Sequence, residues 1–254
     1  MIPKVIHYCW FGRGEKPALA LKCIESWKKH LPDYEIKEWN EDNFDVNSNL
    51  YVKEAYISRK FAFVTDYVRL FALYTEGGIY MDTDVEVLKS YNPFLHHIAF
   101  SGFESDGNVP TGMMAAEKGG KWVSDLIADY QERKFIKEDG SLDMTTNTTL
   151  ITNYMLSKGI KLNNQFQDFP NLVTMYPSEF FCPKDHRTGE IKLTKNSVCI
   201  HHFAGSWLDH KSIEYKLHLL KVKLISIFGA KTIMSIVSTL KLRELKQHIL
   251  KSKK

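Results

Sequence analysis

An α/β fold is what this sequence predicts. Near its start an apolar stretch, a helical pattern and an alternating stretch follow one another as β-α-β, and further on a long helical period runs through two glycines into a short apolar run. The 254 residues are 44% hydrophobic and 13% aromatic, enough to bury one sizeable core or a main domain with a small appendage.

The first element is a buried strand over residues 4–11, KVIHYCWF, rich in β-branched and aromatic side chains and ended by Gly12 and Gly14. A helix over 17–31 comes next. Pro17 suits its first turn, Leu19, Leu21, Ile24 and Trp27 form the expected buried stripe, and Pro32 stops it. Residues 34–39 alternate apolar and polar, as a second strand does. Over 59–75, Phe63, Val64, Tyr67, Leu70, Phe71 and Tyr74 recur at steps of three and four, which predicts a helix capped by Gly77 and Gly78. Residues 79–81 form a short buried strand and 85–88 a further extended piece, with Asp82, Thr83 and Asp84 between them. Beyond this, 98–103 and 109–115 read as strands, 121–133 and 147–158 as helices, 159–197 as mixed and turn-rich, and 197–203 as a last strand. No internal repeat or low-complexity run interrupts the pattern.

Cys9, Cys23, Cys182 and Cys199 form no CxxC pair, so neither a zinc ribbon nor a dense disulfide framework is predicted, and reduced thiols in a cytoplasmic setting are expected. Met1, Ile2 and Pro3 precede Lys4, and His7 breaks the next apolar stretch, so no export signal is read. The late apolar stretch 224–240 holds Lys231 and several Ser and Thr residues, which argues against a spanning helix. A net charge of +4 conceals an asymmetry. Residues 211–254 carry 11 Lys and Arg against Glu214 and Glu244, so the body of the chain is acidic and its tail basic. Leu217, Leu220, Leu224 and Ile227 fall at helical spacing there, and a second helix is expected over 231–250. Such a tail is either a helical pair packed on the core or a peripheral anchor at an anionic membrane, on the inner face for a cytoplasmic protein. A nucleic-acid partner is not expected, since no recognised module accompanies the basic residues. Two regions follow, 1–210 and the basic amphipathic helical tail 211–254.

Asp82 and Asp84 are two apart on a segment read as extended, which points both carboxylates to one side at a strand's end, where α/β sheets collect ligands. Their mutual repulsion is relieved by a divalent cation, and Mn²⁺ or Mg²⁺ would bridge such a pair to a diphosphate. An Asp-x-Asp triplet alone mostly lies on a solvated turn. Its surroundings carry more: the block FAFVTDYVRLFALYTEGGIYMDTDVEVL over 61–88, the opening IPKVIHYCWFG, the segments SWKK, PDYE and WNEDNF, and the late HHFAGSW. Together these resemble the sugar-transferase region of glycosyltransferase family 32, the DXD-containing group that includes capsular and lipopolysaccharide transferases and fungal mannosyltransferases. The resemblance is close over 1–90 and shorter over 197–208.

The resemblance implies a GT-A fold, one nucleotide-binding α/β domain with a mostly parallel mixed sheet flanked by helices. It implies a metal-dependent glycosyltransferase that takes a nucleotide sugar, UDP preferred, with Mn²⁺ or Mg²⁺. The acceptor would be a carbohydrate or a lipid-linked oligosaccharide in surface polysaccharide synthesis, with retention at the anomeric carbon. A non-catalytic nucleotide- or carbohydrate-binding module of the same fold is the alternative. By the same resemblance Asp82 and Asp84 bind the metal, Thr83 contacts the donor, Asp66 hydrogen-bonds the donor sugar or ribose, and Arg69 helps hold sugar or diphosphate. A surface salt bridge is the other reading of Asp66 and Arg69, three apart on one helix. Trp10 would stack on the nucleobase, or else pack in the core. His202 would be a third metal ligand, with His201 competing. Ser206 and Trp207 would donate to phosphate oxygens, unless Trp207 anchors the tail.

Overall fold

The computed structural model describes residues 1–104, 108–109 and 112–205, and beyond them 220, 223–225, 227–229 and 232–233. By compactness the chain divides into Met1–Lys184 with Ile191–Trp207, and Asp185–Glu190 with Leu208–Lys254. Within the second unit Asp185 caps a turn, its Oδ1 accepting from the amides of Arg187 at 2.8 Å and Thr188 at 3.0 Å. The tail helices expected over 211–254 lie almost wholly outside the described residues, as does the boundary expected at 210.

In the first unit the predicted β-α-β opening is present as β1 (Val5–Cys9), α1 (Ala18–His30) and β2 (Glu35–Trp39), with β1 and β2 parallel. Next come α2 (Leu50–Ile57), α3 (Phe61–Glu76), β3 (Gly78–Met81) and β4 (Val85–Val87). The chain continues through β5 (Ala99–Gly102), β6 (Met113–Ala116), α4 (Lys121–Ala128), α5 (Asn147–Ser157), β7 (Gln167–Phe169), β8 (Val173–Tyr176), α6 (Ser178–Phe181) and β9 (Cys199–His201). A seven-stranded sheet runs β2-β1-β3-β6-β5-β8-β7, in which β6 and β7 oppose the direction of the others. It is the mixed, mostly parallel sheet flanked by helices that the sequence predicts.

Period-two alternation distributes side chains to two apolar clusters, one on each face. Ile79 and Met81 of β3 join the cluster with Cys23, Ile24 and Trp27 of α1, whereas Tyr80 joins Val64 and Val68 of α3 on the other face. Helix α1 departs from its predicted stripe at one position: Leu21 is exposed, and Ala20 and Cys23 take buried places instead. Helix α2 was not predicted. Gly77 ends α3 with φ 73°, as a C-cap glycine does, and a Cβ on Gly78 would meet the Val5 carbonyl oxygen at 2.5 Å, so the α3 to β3 passage requires both glycines. All four cysteines are free and buried. Among the described residues no helix is long and apolar enough to cross a membrane.

Strands β4 and β9 stand apart as a two-stranded antiparallel ribbon, with Val85 opposite His201 and Val87 opposite Cys199. This pairing brings the late histidine segment to the aspartates that follow β3.

Candidate active site

Asp82 follows the last residue of β3, and its amide extends the ladder by donating to Gly112 O at 2.8 Å. A tight turn then carries Thr83 and Asp84 into β4, closed by the Val85 amide donating to Asp82 O at 3.0 Å. The extended segment expected for this triplet is therefore a turn. The two carboxylates converge nonetheless, because β9 lays His201 beside them. One donor atom from each of Asp82, Asp84 and His201 lies within 4.8 Å of the others.

Each member of the cluster is held. Asp84 Oδ2 accepts from the Ala204 amide at 2.7 Å and its Oδ1 lies 3.4 Å from His201 Nε2. Burial would raise the Asp84 carboxyl, but the adjacent imidazolium and the hydrogen bonds outweigh it and hold the group at about 2. Burial likewise would lower His201, and the Asp84 charge overcomes it, so the imidazole is raised well above its ordinary value. The His201 ring packs against Phe203, tilted by 32° with centroids 4.2 Å apart, and Gly112 leaves it room: a Cβ there would lie 2.8 Å from two of its ring atoms. Asp82 Oδ1 accepts from the Tyr80 hydroxyl at 2.8 Å and sits 3.4 Å from Arg69 Nη1.

Asp66 and Arg69 form a buried pair, not a surface bridge. Arg69 Nη2 donates to Asp66 Oδ1 at 3.0 Å, and the guanidinium lies over the Tyr80 ring at 4.7 Å. Asn147, at the start of α5, clamps Asp66 from the far side: its amide donates to Oδ2 at 3.2 Å and its side chain to the Asp66 carbonyl at 3.1 Å. Burial raises the Asp66 carboxyl to about 6, against the pull of Arg69.

Residues 17–101 match the family described as the glycosyltransferase sugar-binding region containing a DXD motif. This segment is similar to the DXD-type glycosyltransferase region. The match bears out the family resemblance drawn from the sequence. Inositol phosphoceramide mannosyltransferase 3 of Schizosaccharomyces pombe is 29% identical over 138 residues, 53% of this chain, and the chain spans 38% of that relative's length. Among solved structures, the PaToxG glycosyltransferase is 17% identical, with a TM-score of 0.41 over 66% of this chain and 81% of its own. A glycosyltransferase involved in glycosylation of the major capsid of PBCV-1 is 12% identical, with a TM-score of 0.47 over 80% of this chain and 95% of its own.

Within the matched segment, Asp66, Arg69 and Asp82 are linked by ion pairs, Thr83 lies in the turn between Asp82 and Asp84, and β9 brings a histidine to the two aspartates from outside that segment. That histidine is His201. His202, the residue expected as third ligand, turns away: its Nε2 lies 2.8 Å from Glu86 Oε2, since neighbours at a strand end face opposite sides. Trp10 follows β1, and Asp82 follows the adjacent parallel strand, so both stand at the same edge of the sheet. The Trp10 ring is half-buried, its Nε1 donating to Gly14 O at 2.6 Å. Ser206 and Trp207 lie outside the described residues. Sequence reasoning missed Asn147, Glu86 and Gly112. Glu86 could have been found, because DTDVE repeats acidic residues at every second position; Asn147 and Gly112 carry no comparable signal.

Proposed function

We propose that the chain is a metal-dependent glycosyltransferase of GT-A type, moving a sugar from a nucleotide sugar to a carbohydrate or lipid-linked acceptor. The observation that carries this reading is the convergence of Asp82, Asp84 and His201 within 4.8 Å at the carboxyl end of β3. Two carboxylates and one imidazole form a donor set that fits a divalent cation, and the nitrogen among the oxygens favours Mn²⁺ over Mg²⁺. His201, and not His202, is the third ligand in this reading. Bound there, the cation supplies Lewis-acid stabilisation of a departing diphosphate.

Arg69 orients Asp82 and puts a buried positive charge behind it, while Asp66, its two oxygens held by Arg69 and the Asn147 amide, fixes Arg69 and keeps a lone pair for a hydroxyl of the donor sugar. Thr83 contacts the diphosphate from the turn, and Trp10 offers a ring face to the base at the same sheet edge. Among the described residues no carboxylate other than the already engaged Asp66 is read as facing the donor sugar, so we assign front-face attack with retention. The acceptor hydroxyl bonds to the anomeric carbon, the sugar–phosphate bond breaks with its electrons on the diphosphate, and the hydroxyl proton passes to that diphosphate. UDP is the preferred nucleotide on family grounds. The relative named for mannosyl transfer to inositol phosphoceramide supports a lipid-borne acceptor. So does the basic segment 211–254, which suits an anionic membrane surface such as one where capsular or lipopolysaccharide precursors are built.

A panel of nucleotide sugars tested for Mn²⁺-dependent hydrolysis, with Asp84→Asn as control, is the experiment. Hydrolysis of one donor, lost in the variant, is expected. No metal-dependent turnover or binding of any donor would overturn the assignment, and NMR of an inverted anomeric product would overturn retention.

A further inference from the structure

Lys184 forms an isolated antiparallel bridge with Ile191, and its ammonium reaches the backbone of His202, the residue after His201. Its Nζ donates to the His202 carbonyl at 2.6 Å, and the amide of that same residue donates to the Asp84 carbonyl at 2.9 Å. Lys184 is half-buried, and burial lowers its ammonium's pKa against the opposing pull of the Asp84 charge. It has no carboxylate within ion-pair distance among the described residues. The carboxylates around it are engaged elsewhere: Asp84 with His201 and the Ala204 amide, Glu86 with His202 and with Lys22 at 2.8 Å. A half-buried ammonium without a counter-charge costs free energy, and a site that receives an anion recovers it.

Charge balance points the same way. A dication would be neutralised by Asp82 and Asp84, and Arg69 is matched by Asp66, so the charge of a bound diphosphate has no partner left within the cluster itself. We infer that Lys184 is a phosphate-contacting residue of the donor site, its ammonium meeting a diphosphate oxygen on the Asp84 side of the cluster, as Arg69 stands on the Asp82 side. This rests on the metal–diphosphate reading of the cluster. Lys184 stays protonated and transfers nothing: as the sugar–phosphate bond breaks with its electron pair on the diphosphate, the ammonium offsets the added charge.

The test uses the full chain, Mn²⁺ and inorganic pyrophosphate in titration calorimetry, with Lys184→Met, Lys184→Arg and Asp84→Asn. Lys184→Met keeps the aliphatic stem, and Mn²⁺ binding by it reports an intact fold. The expected result is wild-type Mn²⁺ affinity in Lys184→Met with pyrophosphate affinity about tenfold to a hundredfold weaker, and substantial recovery in Lys184→Arg. Unchanged pyrophosphate affinity in Lys184→Met, with binding lost in Asp84→Asn, would overturn the role of Lys184 and leave the metal site standing. Loss of Mn²⁺ affinity in Lys184→Met would make the lysine structural and overturn the inference. Absence of Mn²⁺-dependent pyrophosphate binding by the wild-type protein would overturn both readings.

Discussion

His201 Nε2 lies 3.4 Å from the Asp84 carboxylate, across a ribbon whose two strands are more than a hundred residues apart in the chain. The β4–β9 register sets this pairing, since Val85 opposite His201 puts the imidazole over the turn that carries the aspartates. The same register sends His202 to Glu86. The candidate metal cluster and a contact beside it thus involve two adjacent histidines with different partners.

The two histidines should separate cleanly by mutation. His201→Ala is expected to weaken Mn²⁺ binding by about tenfold to a hundredfold or more, whereas His202→Ala leaves it within a few fold. Electron paramagnetic resonance titration of free Mn²⁺ reads both. Equal losses in the two variants would mean that the ribbon's register, and not a direct ligand, matters.

Asp84→Asn retains an oxygen to accept the Ala204 amide but removes the charge. The fold should survive with a stability loss of roughly 1–3 kcal/mol, the cost of losing the buried pair with His201, while turnover falls on the order of a hundredfold to a thousandfold through loss of stabilisation of the leaving group. Thermal melts and donor hydrolysis rates, measured on one preparation, check this. A collapse in stability would show that the carboxylate is structural.

The sequence made the β-α-β opening legible because those elements are local: alternation in β2 and the stripe of α1 appear in consecutive residues. Leu21 was misplaced because Ala20 and Cys23 are small enough to approach the sheet, leaving the larger side chain in solvent. Helix α2 went unseen; Leu50–Ile57 is one short run with apolar residues on more than one face, so its period is faint. The site was legible where it lies in one segment, 61–88. The choice between His201 and His202 was not, because strand parity depends on a pairing with β4 that no local pattern reveals. Asn147 is hidden for a similar reason: it sits among Thr and Asn residues, and only the packing of α5 on α3 makes it a clamp on Asp66.

Arg69 is held by two carboxylates, Asp66 and Asp82, with the guanidinium almost wholly buried. Arg69→Leu leaves both without a cation and should cost about 3–5 kcal/mol. Arg69→Lys should recover only part, since a point charge does not reproduce a planar fork between two acceptors. Urea denaturation reads the difference. A cost below about 1 kcal/mol for the leucine variant would contradict a buried pair.

Asp66 gives the protein a pH dependence with a definite sign. Burial raises its carboxyl from 3.8 to about 6 in the folded chain. Between these values the native state holds a proton that the unfolded chain has released, so the group's contribution is most favourable below about pH 4 and is lost as pH rises through 6. The stability difference between wild type and Asp66→Asn should shrink by roughly 2–3 kcal/mol from pH 4 to 8. Parallel stability curves over that range would rule the shift out.

Gly112 tests the site without touching a ligand. A Cβ at this position would stand 2.8 Å from His201 Cε1 and Nδ1, closer than real contacts allow, and the ring already packs against Phe203. Gly112→Ala must therefore displace the imidazole or the backbone that supports Asp82, whose amide bonds to Gly112 O at 2.8 Å. Either movement pulls His201 and Asp82 apart. Mn²⁺ affinity should fall about tenfold, as it does when a metal ligand's support is removed. Far-ultraviolet circular dichroism should remain that of the wild type, because the substitution lies beyond the sheet's core. Undiminished affinity in a folded variant would mean that His201 is not a ligand.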